Sequence, residues 1–144
     1  MNYTSAVMAL SRRIEVAPVA QNRAGATLFS EPLPSDETLI AEIGTDTSRT
    51  LFCHRRQTDQ LRVLRGSLEL VVLENRCLRR ITLREDEPTW VRIPPGVPHG
   101  AINRSSGAAV LVNAVIRHGP SDPRDYQPRP LPDGLLRQWE ALLI

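Results

Sequence analysis

Residues 93–103 read IPPGVPHGAIN. Pro94, Pro95, Gly96 and Pro98 exclude a regular strand interior or a helix here. Ile93, Val97 and Ile102 still make the segment apolar on both sides of a single histidine. A plain turn needs no His99. The stretch reads as a rigid corner that feeds a strand, HGAIN (99–103), and fixes the direction of its histidine.

Outward from this corner the chain divides into short apolar runs separated by turn residues. TLFCH (50–54), QLRVLRG (60–66), SLELVVLEN (67–75), CLRRITLRE (77–85), TWVRIP (89–94) and AAVLVNAVIRHG (108–119) read as strands. Gly66, Asn75, the acidic run 85–87 with Pro88, and Ser105-Ser106-Gly107 punctuate them. Many short strands at regular spacing predict an antiparallel sandwich or barrel. Alternation puts Leu68, Leu70 and Val72 on one face, and Val110, Val112, Ala114 and Ile116 on one face. Upstream, TLIAEIG (38–44) reads as a strand, with Ser35-Asp36-Glu37 as an alternative helix start. ATLFSEPLP (26–34) reads as a short strand ended by prolines, and residues 1–25 as a loose arm with a strand at 13–16.

Beyond His118 the composition changes. GPSDPRDYQPRPLPDG predicts an extended arm over 119–132. DGLLRQWEALLI (133–144) predicts a short helix capped by Asp133, with Leu135, Leu136, Trp139, Leu142 and Leu143 on one apolar stripe. That stripe must pack on the barrel or on a second subunit. The 144 residues suit one domain, with its barrel core over 38–118.

A net charge of +2 is too small to point to nucleic acid. No apolar run reaches the roughly 20 residues a membrane span needs. The first residues place arginines after the apolar part, the wrong order for a secretory signal, so a cytoplasmic location is expected. Cys53 and Cys77 lack metal or disulfide spacing and read as buried thiols. All 18 basic residues are arginine, so chemistry needing a lysine amine is excluded. Anion binding would fall to guanidinium forks.

Pro94, Gly96, His99 and Asn103 satisfy P-x-G-x-x-H-x-x-x-N, and in this the chain resembles the cupin superfamily. The glycine usual six residues before the first proline is replaced by Pro88. Counting back from Gly66, the other cupin motif is only partly filled: His54 holds the second histidine place, Asp59 the glutamate place, and Phe52 the first histidine place. The resemblance covers about residues 49–118 and implies an all-β, double-stranded β-helix (jelly-roll barrel), with His54, Asp59 and His99 in its mouth. Within the superfamily the chain is most similar to the dTDP-4-dehydrorhamnose 3,5-epimerases, which share IPxG-x-x-HG, and to the nucleotide-sugar 3,4-ketoisomerases. The latter share a histidine, a basic pair and Gly-Ser, here His54, Arg55-Arg56 and Gly66-Ser67.

That resemblance implies an epimerase or isomerase moving a proton next to a sugar ketone. His54 would be the base, with His99 and Asp59 as further catalytic groups. Arg55, Arg56 and Arg62 would meet a diphosphate, and Asn103 and Tyr126 would complete the ligand site, Tyr126 only if the arm folds over the mouth. Asn103 is also suited to securing the turn. No cofactor is expected. A divalent metal on His54, Asp59 and His99, as in a dioxygenase-like cupin, is a further alternative. A small-molecule-binding cupin without activity is another. A homodimer is expected from unpaired edge strands and the apolar stripe at the C-terminus.

Overall fold

The computed structural model describes residues 13–45 and 49–143. Most predicted strands are present, and the arm between residues 119 and 132 is ordered. The stretch expected to be a loose arm with a strand at 13–16 instead carries strands at Glu15–Pro18 and Gln21–Ala24, and its first 12 residues lie outside the described ones. The larger sheet has the order β1-β9-β6-β11-β4. It is made of Glu15–Pro18 (β1), Thr89–Ile93 (β9), Gln57–Arg65 (β6), Ala109–Arg117 (β11) and Glu37–Ile43 (β4). The smaller sheet runs β10-β7-β8, from His99–Ile102, Ser67–Glu74 and Cys77–Arg84. Every strand pair is antiparallel. Gln21–Ala24 (β2) and Thr27–Ser30 (β3) form a separate hairpin, and Thr50–Leu51 (β5) pairs with Arg129–Pro130 (β12) of the arm.

The two sheets close on one apolar core. Leu68, Leu70 and Val72 of β7 point into it with Leu61, Val63, Val91, Ile93 and Leu111. The next residue class on β7, represented by Val71, faces the other way and meets Leu51, Ile102, Leu131 and Trp139. Period-2 alternation thus gives the smaller sheet two apolar faces. The helix α1 (Asp133–Leu142) covers the outer one. Trp139 is fully buried there, and Leu135, Leu136, Leu142 and Leu143 pack around it. The apolar stripe is therefore covered by its own chain and supplies no ground for a dimer. Pro132, not Asp133, occupies the cap position, without a side-chain cap bond.

Other differences have local causes. The barrel side of β11 carries Ala109, Leu111 and Asn113. The stripe Val110, Val112, Ala114, Ile116 lies on the opposite face, part of which is covered where Gln60 Nε2 donates to the carbonyls of Pro34 and Ala114. The segment 50–54 keeps only two strand residues, and Phe52 continues it as an isolated bridge to His99. Neither cysteine is a buried thiol as expected: Cys53 is half-buried and Cys77 is exposed. Among the described residues no helix is long and apolar enough to cross a membrane.

The corner is tied down by backbone bonds. Gly96 has φ +81 after Pro95, the combination a type II turn requires. Its N–H donates to the His54 carbonyl at 2.8 Å. Phe52 and His99 exchange two backbone bonds, at 2.7 and 2.9 Å. Gly100 is the tightest point of this seam: a Cβ there would sit 2.5 Å from the Thr50 carbonyl oxygen and 3.2 Å from Leu51 Cδ2. We expect Gly100→Ala to destabilise the fold by about 1–3 kcal/mol, the usual range for overpacking. Gly134→Ala, with nothing within 4 Å of its Cβ, should stabilise α1 by up to about 1 kcal/mol. Urea unfolding of the two variants beside the parent checks both signs.

Candidate functional site

β6 begins with four consecutive polar residues, Gln57-Thr58-Asp59-Gln60, none more than 2% exposed. Alternation divides them. Gln57 and Asp59 face one side, and Thr58 and Gln60 the other. Gln57 Nε2 donates to Asp59 Oδ1 at 2.6 Å, and Asn113 Nδ2 on the neighbouring strand donates to the same oxygen at 3.0 Å. Asn113 is itself fixed, because its Oδ1 accepts from the Gln60 N–H at 3.0 Å. Oδ1 is therefore fully engaged and Oδ2 is left for the histidines.

Both histidines converge on that second oxygen. His99 Nε2 lies 3.2 Å from Asp59 Oδ2, and His54 Nε2 lies 3.5 Å from it. The two imidazole rings are 5.0 Å apart. His99 Nδ1 is 3.0 Å from the Val97 carbonyl, which can only accept, so Nδ1 carries a proton. Nε2 faces Asp59 Oδ2. Burial pushes the Asp59 carboxyl up. The His99 hydrogen bond, the charges of His99 and His54 and the Asn113 bond together outweigh it and hold the group below its ordinary 3.8. For His54, burial lowers the imidazole below 6.5. Asp59 offsets this in part and His99 adds to it. His54 is thus a neutral imidazole at neutral pH, and its Nδ1 is buried with no hydrogen-bond partner.

These three residues lie in the wall of a cavity of about 440 Å³ between the sheets. Its walls are otherwise largely apolar, with Leu39, Ile43, Phe52, Leu61, Leu70 and Leu111. Phe52 occupies the first histidine place of the partly filled motif and stacks at 6.4 Å from the His54 ring. Tyr126 arrives on the 3₁₀ turn Pro123–Tyr126 of the arm, so the arm does fold over the mouth. Its ring is 5.1 Å from that of His54, and its hydroxyl donates to Gln57 Oε1 at 3.2 Å.

The remaining expected residues do not join them. Arg62 is three residues from Asp59 and so lies on the opposite face of β6, where NH1 donates to Ser30 Oγ at 2.7 Å. Arg55 and Arg56 are exposed and outside the cavity wall, and the Arg56 carbonyl accepts from the His118 N–H. Asn103 is fully buried, and its amide locks the 103–107 turn by bonds with Ile43, Ser105 and Gly107. It serves the loop. Gln57 and Asn113 are the site residues that motif counting missed. For Asn113 a signal existed: a lone amide inside AVLVNAVIR must find buried partners.

The donor set also fits a divalent cation in number and spacing. The ligand atoms of His54, Asp59 and His99 all lie within 4.8 Å of one another, and the Nδ1–H bond of His99 to a carbonyl is a support that metal-bound histidines use. Phe52 leaves such an ion three protein ligands. A cation there would supply Lewis-acid polarisation of a carbonyl.

No family model matches the sequence, and no curated protein matches it. Solved structures do. A dTDP sugar isomerase from Desulfovibrio desulfuricans G20 superposes with a TM-score of 0.66 at 19% identity, over 88% of this chain and 90% of that one. A variant of the 3,4-ketoisomerase of Thermoanaerobacterium thermosaccharolyticum, in complex with TDP-4-keto-6-deoxyglucose, gives 0.58 at 17% identity, over 78% and 84%. The dTDP-4-dehydrorhamnose 3,5-epimerase of Sulfolobus tokodaii gives 0.63 at 14% identity, over 88% and 81%. At these identities the likeness shows the fold: a cupin jelly roll of the kind used by nucleotide-sugar epimerases and isomerases.

Both shifted groups make the fold acid-sensitive. His54 titrates below 6.5 when folded, so on acidification the unfolded chain takes up that proton first and stability falls below pH 6.5. Asp59 titrates below 3.8 when folded, so its contribution is present above 3.8 and lost as pH falls through the folded value. Urea midpoints measured against pH should fall in two stages. His54→Ala should flatten the upper stage and shrink the lower one, because the His54 charge is among the causes that hold Asp59 down.

Proposed function

We propose that the protein is an isomerase or epimerase that moves a proton at the carbon next to a ketone, as its structural neighbours are named for doing on nucleotide sugars. The observation that supports this is the sharing of one buried carboxylate oxygen by two histidines in the wall of a largely apolar cavity. Burial keeps His54 neutral and hence able to accept a proton. The bond to carbon breaks, its electron pair moves toward the carbonyl oxygen, and the proton goes to His54. Asp59, ionised and beside it, stabilises the imidazolium that forms. The enolate needs a donor in place of the absent lysine. The His99 imidazole supplies one, and the Tyr126 hydroxyl another. Return of a proton to carbon from the opposite side gives an epimer, and to the adjacent carbon, after enediol formation, an isomer.

The fold of β4 also supports pairing with a second copy. Leu39 and Ile40 of this edge strand are both exposed, and a light-scattering mass of a single chain would end that expectation.

The function is tested in D₂O by ¹H NMR, with TDP-4-keto-6-deoxyglucose and a neutral cyclic ketone as separate substrates. Loss of the signal next to the carbonyl, faster than without protein, is expected for at least one of them. His54→Ala should slow it by roughly 10²–10⁴-fold, the range for a general base. No protein-dependent exchange with either ketone overturns the proposal.

The cation reading gives the opposite result on one point. Under the acid–base reading, exhaustive chelation leaves the exchange rate unchanged, and the acid limb of kcat/KM lies below pH 6.5. A rate that vanishes with chelator and returns with added iron(II) or zinc favours a metal-dependent cupin.

A further inference from the structure

The wall of the cavity that holds the two histidines carries no cationic side chain besides them. Among the described residues no arginine lines it, and the chain has no lysine. The charged groups on its wall besides the histidines are the carboxylates of Asp59 and Glu42. Arg55 and Arg56 directly follow His54 but are exposed and outside the cavity wall. Two further arginines near the site are committed elsewhere. Arg62 holds Ser30 on the far face of β6. Arg117 binds Glu37 through two nitrogens, at 2.6 and 2.9 Å, and Gln57 Oε1 through a third at 2.7 Å. A phosphate oxygen in this space would meet apolar walls and an ionised Asp59, with no guanidinium fork to offset its desolvation.

The polar and apolar parts of the wall are also segregated. His54, Asp59, His99 and Asn113 are interconnected through the Asp59 carboxylate. Leu39, Ala41, Ile43, Leu70, Ala101 and Leu111 make up much of the rest. A hydroxylated ring would leave several donors without acceptors against those side chains. A ring with one polar substituent directed at the histidines and hydrocarbon elsewhere would satisfy both parts. A volume of about 440 Å³ lies toward the lower end of the range for small-molecule sites.

We propose that this cavity takes a compact, uncharged, largely apolar carbonyl compound, without an attached diphosphate. The carbonyl rests on the proton-transfer reading above. The absence of charge rests on the cavity wall alone.

The test is a titration of the full chain with three probes: 2-decalone, dTDP and dTDP-glucose. Calorimetry reads affinity, and ¹H NMR reads the ring signals of the three histidines. The expected result is that 2-decalone binds and moves the signals of His54 and His99. His118, exposed and bonded to Thr58, should stay in place. Both nucleotides should bind at least tenfold more weakly. Equal or tighter binding of either nucleotide overturns the inference, and so does a failure of 2-decalone to move the two signals. The two proposals fail separately. Bound 2-decalone without exchange of the protons next to its carbonyl leaves the ligand class standing and ends the proton-transfer reading. Exchange of TDP-4-keto-6-deoxyglucose with no binding of 2-decalone does the reverse.

Discussion

The backbone seam between residues 50–54 and the corner at 94–100 holds the rest of the site in place. Gly96 N–H reaches the His54 carbonyl, and Phe52 and His99 pair through both of their backbone groups. Two segments 45 residues apart by number are thereby brought to a separation that only Gly100 permits. Pro94, Pro95 and Pro98 reduce the freedom the unfolded corner has to lose. The imidazoles are then placed by backbone geometry, with few side-chain rotations left to settle.

With the histidines fixed, the Asp59 carboxylate becomes the most demanding group in the molecule. It is 2% exposed, and an isolated buried carboxylate costs several kcal/mol. Gln57 and Asn113 donate to one oxygen, His99 bonds the other, and the His54 ring lies 3.5 Å from that second oxygen. The arrangement also links the surface to the site, because Glu37 holds Arg117, Arg117 holds Gln57, and Gln57 holds Asp59. A change at any of these residues acts on the histidines through the orientation of one carboxylate.

The strand series and the corner were legible because both depend on local rules: alternation, turn residues and the fixed φ of proline. The site was only half legible for physical reasons that differ by residue. His54, Asp59 and His99 fall on counted positions. Arg62 falls near them in sequence but on the far face, a distinction that the odd spacing from Asp59 already contains. Gln57 stands outside the predicted strand 60–66, and nothing local states that four consecutive polar side chains will be buried. Tyr126 depends on the path of a proline-rich arm, which has no period to read. The arm is positioned by the β5–β12 pair and by the Arg49 carbonyl, both distant in sequence.

Phe52 connects these points. In place of a histidine it removes a polar ligand from the cavity and adds an aromatic wall beside His54. A polar residue there would hydrate His54 and share its field with Asp59. The phenyl ring keeps the imidazole dry, and dryness is the largest cause of its lowered protonation. The same substitution thus makes His54 a free base at neutral pH and makes the space in front of it apolar. Lowered protonation of His54 and an apolar cavity wall are thus two physical consequences of one residue, and the proposed proton transfer on a less polar ligand draws on both.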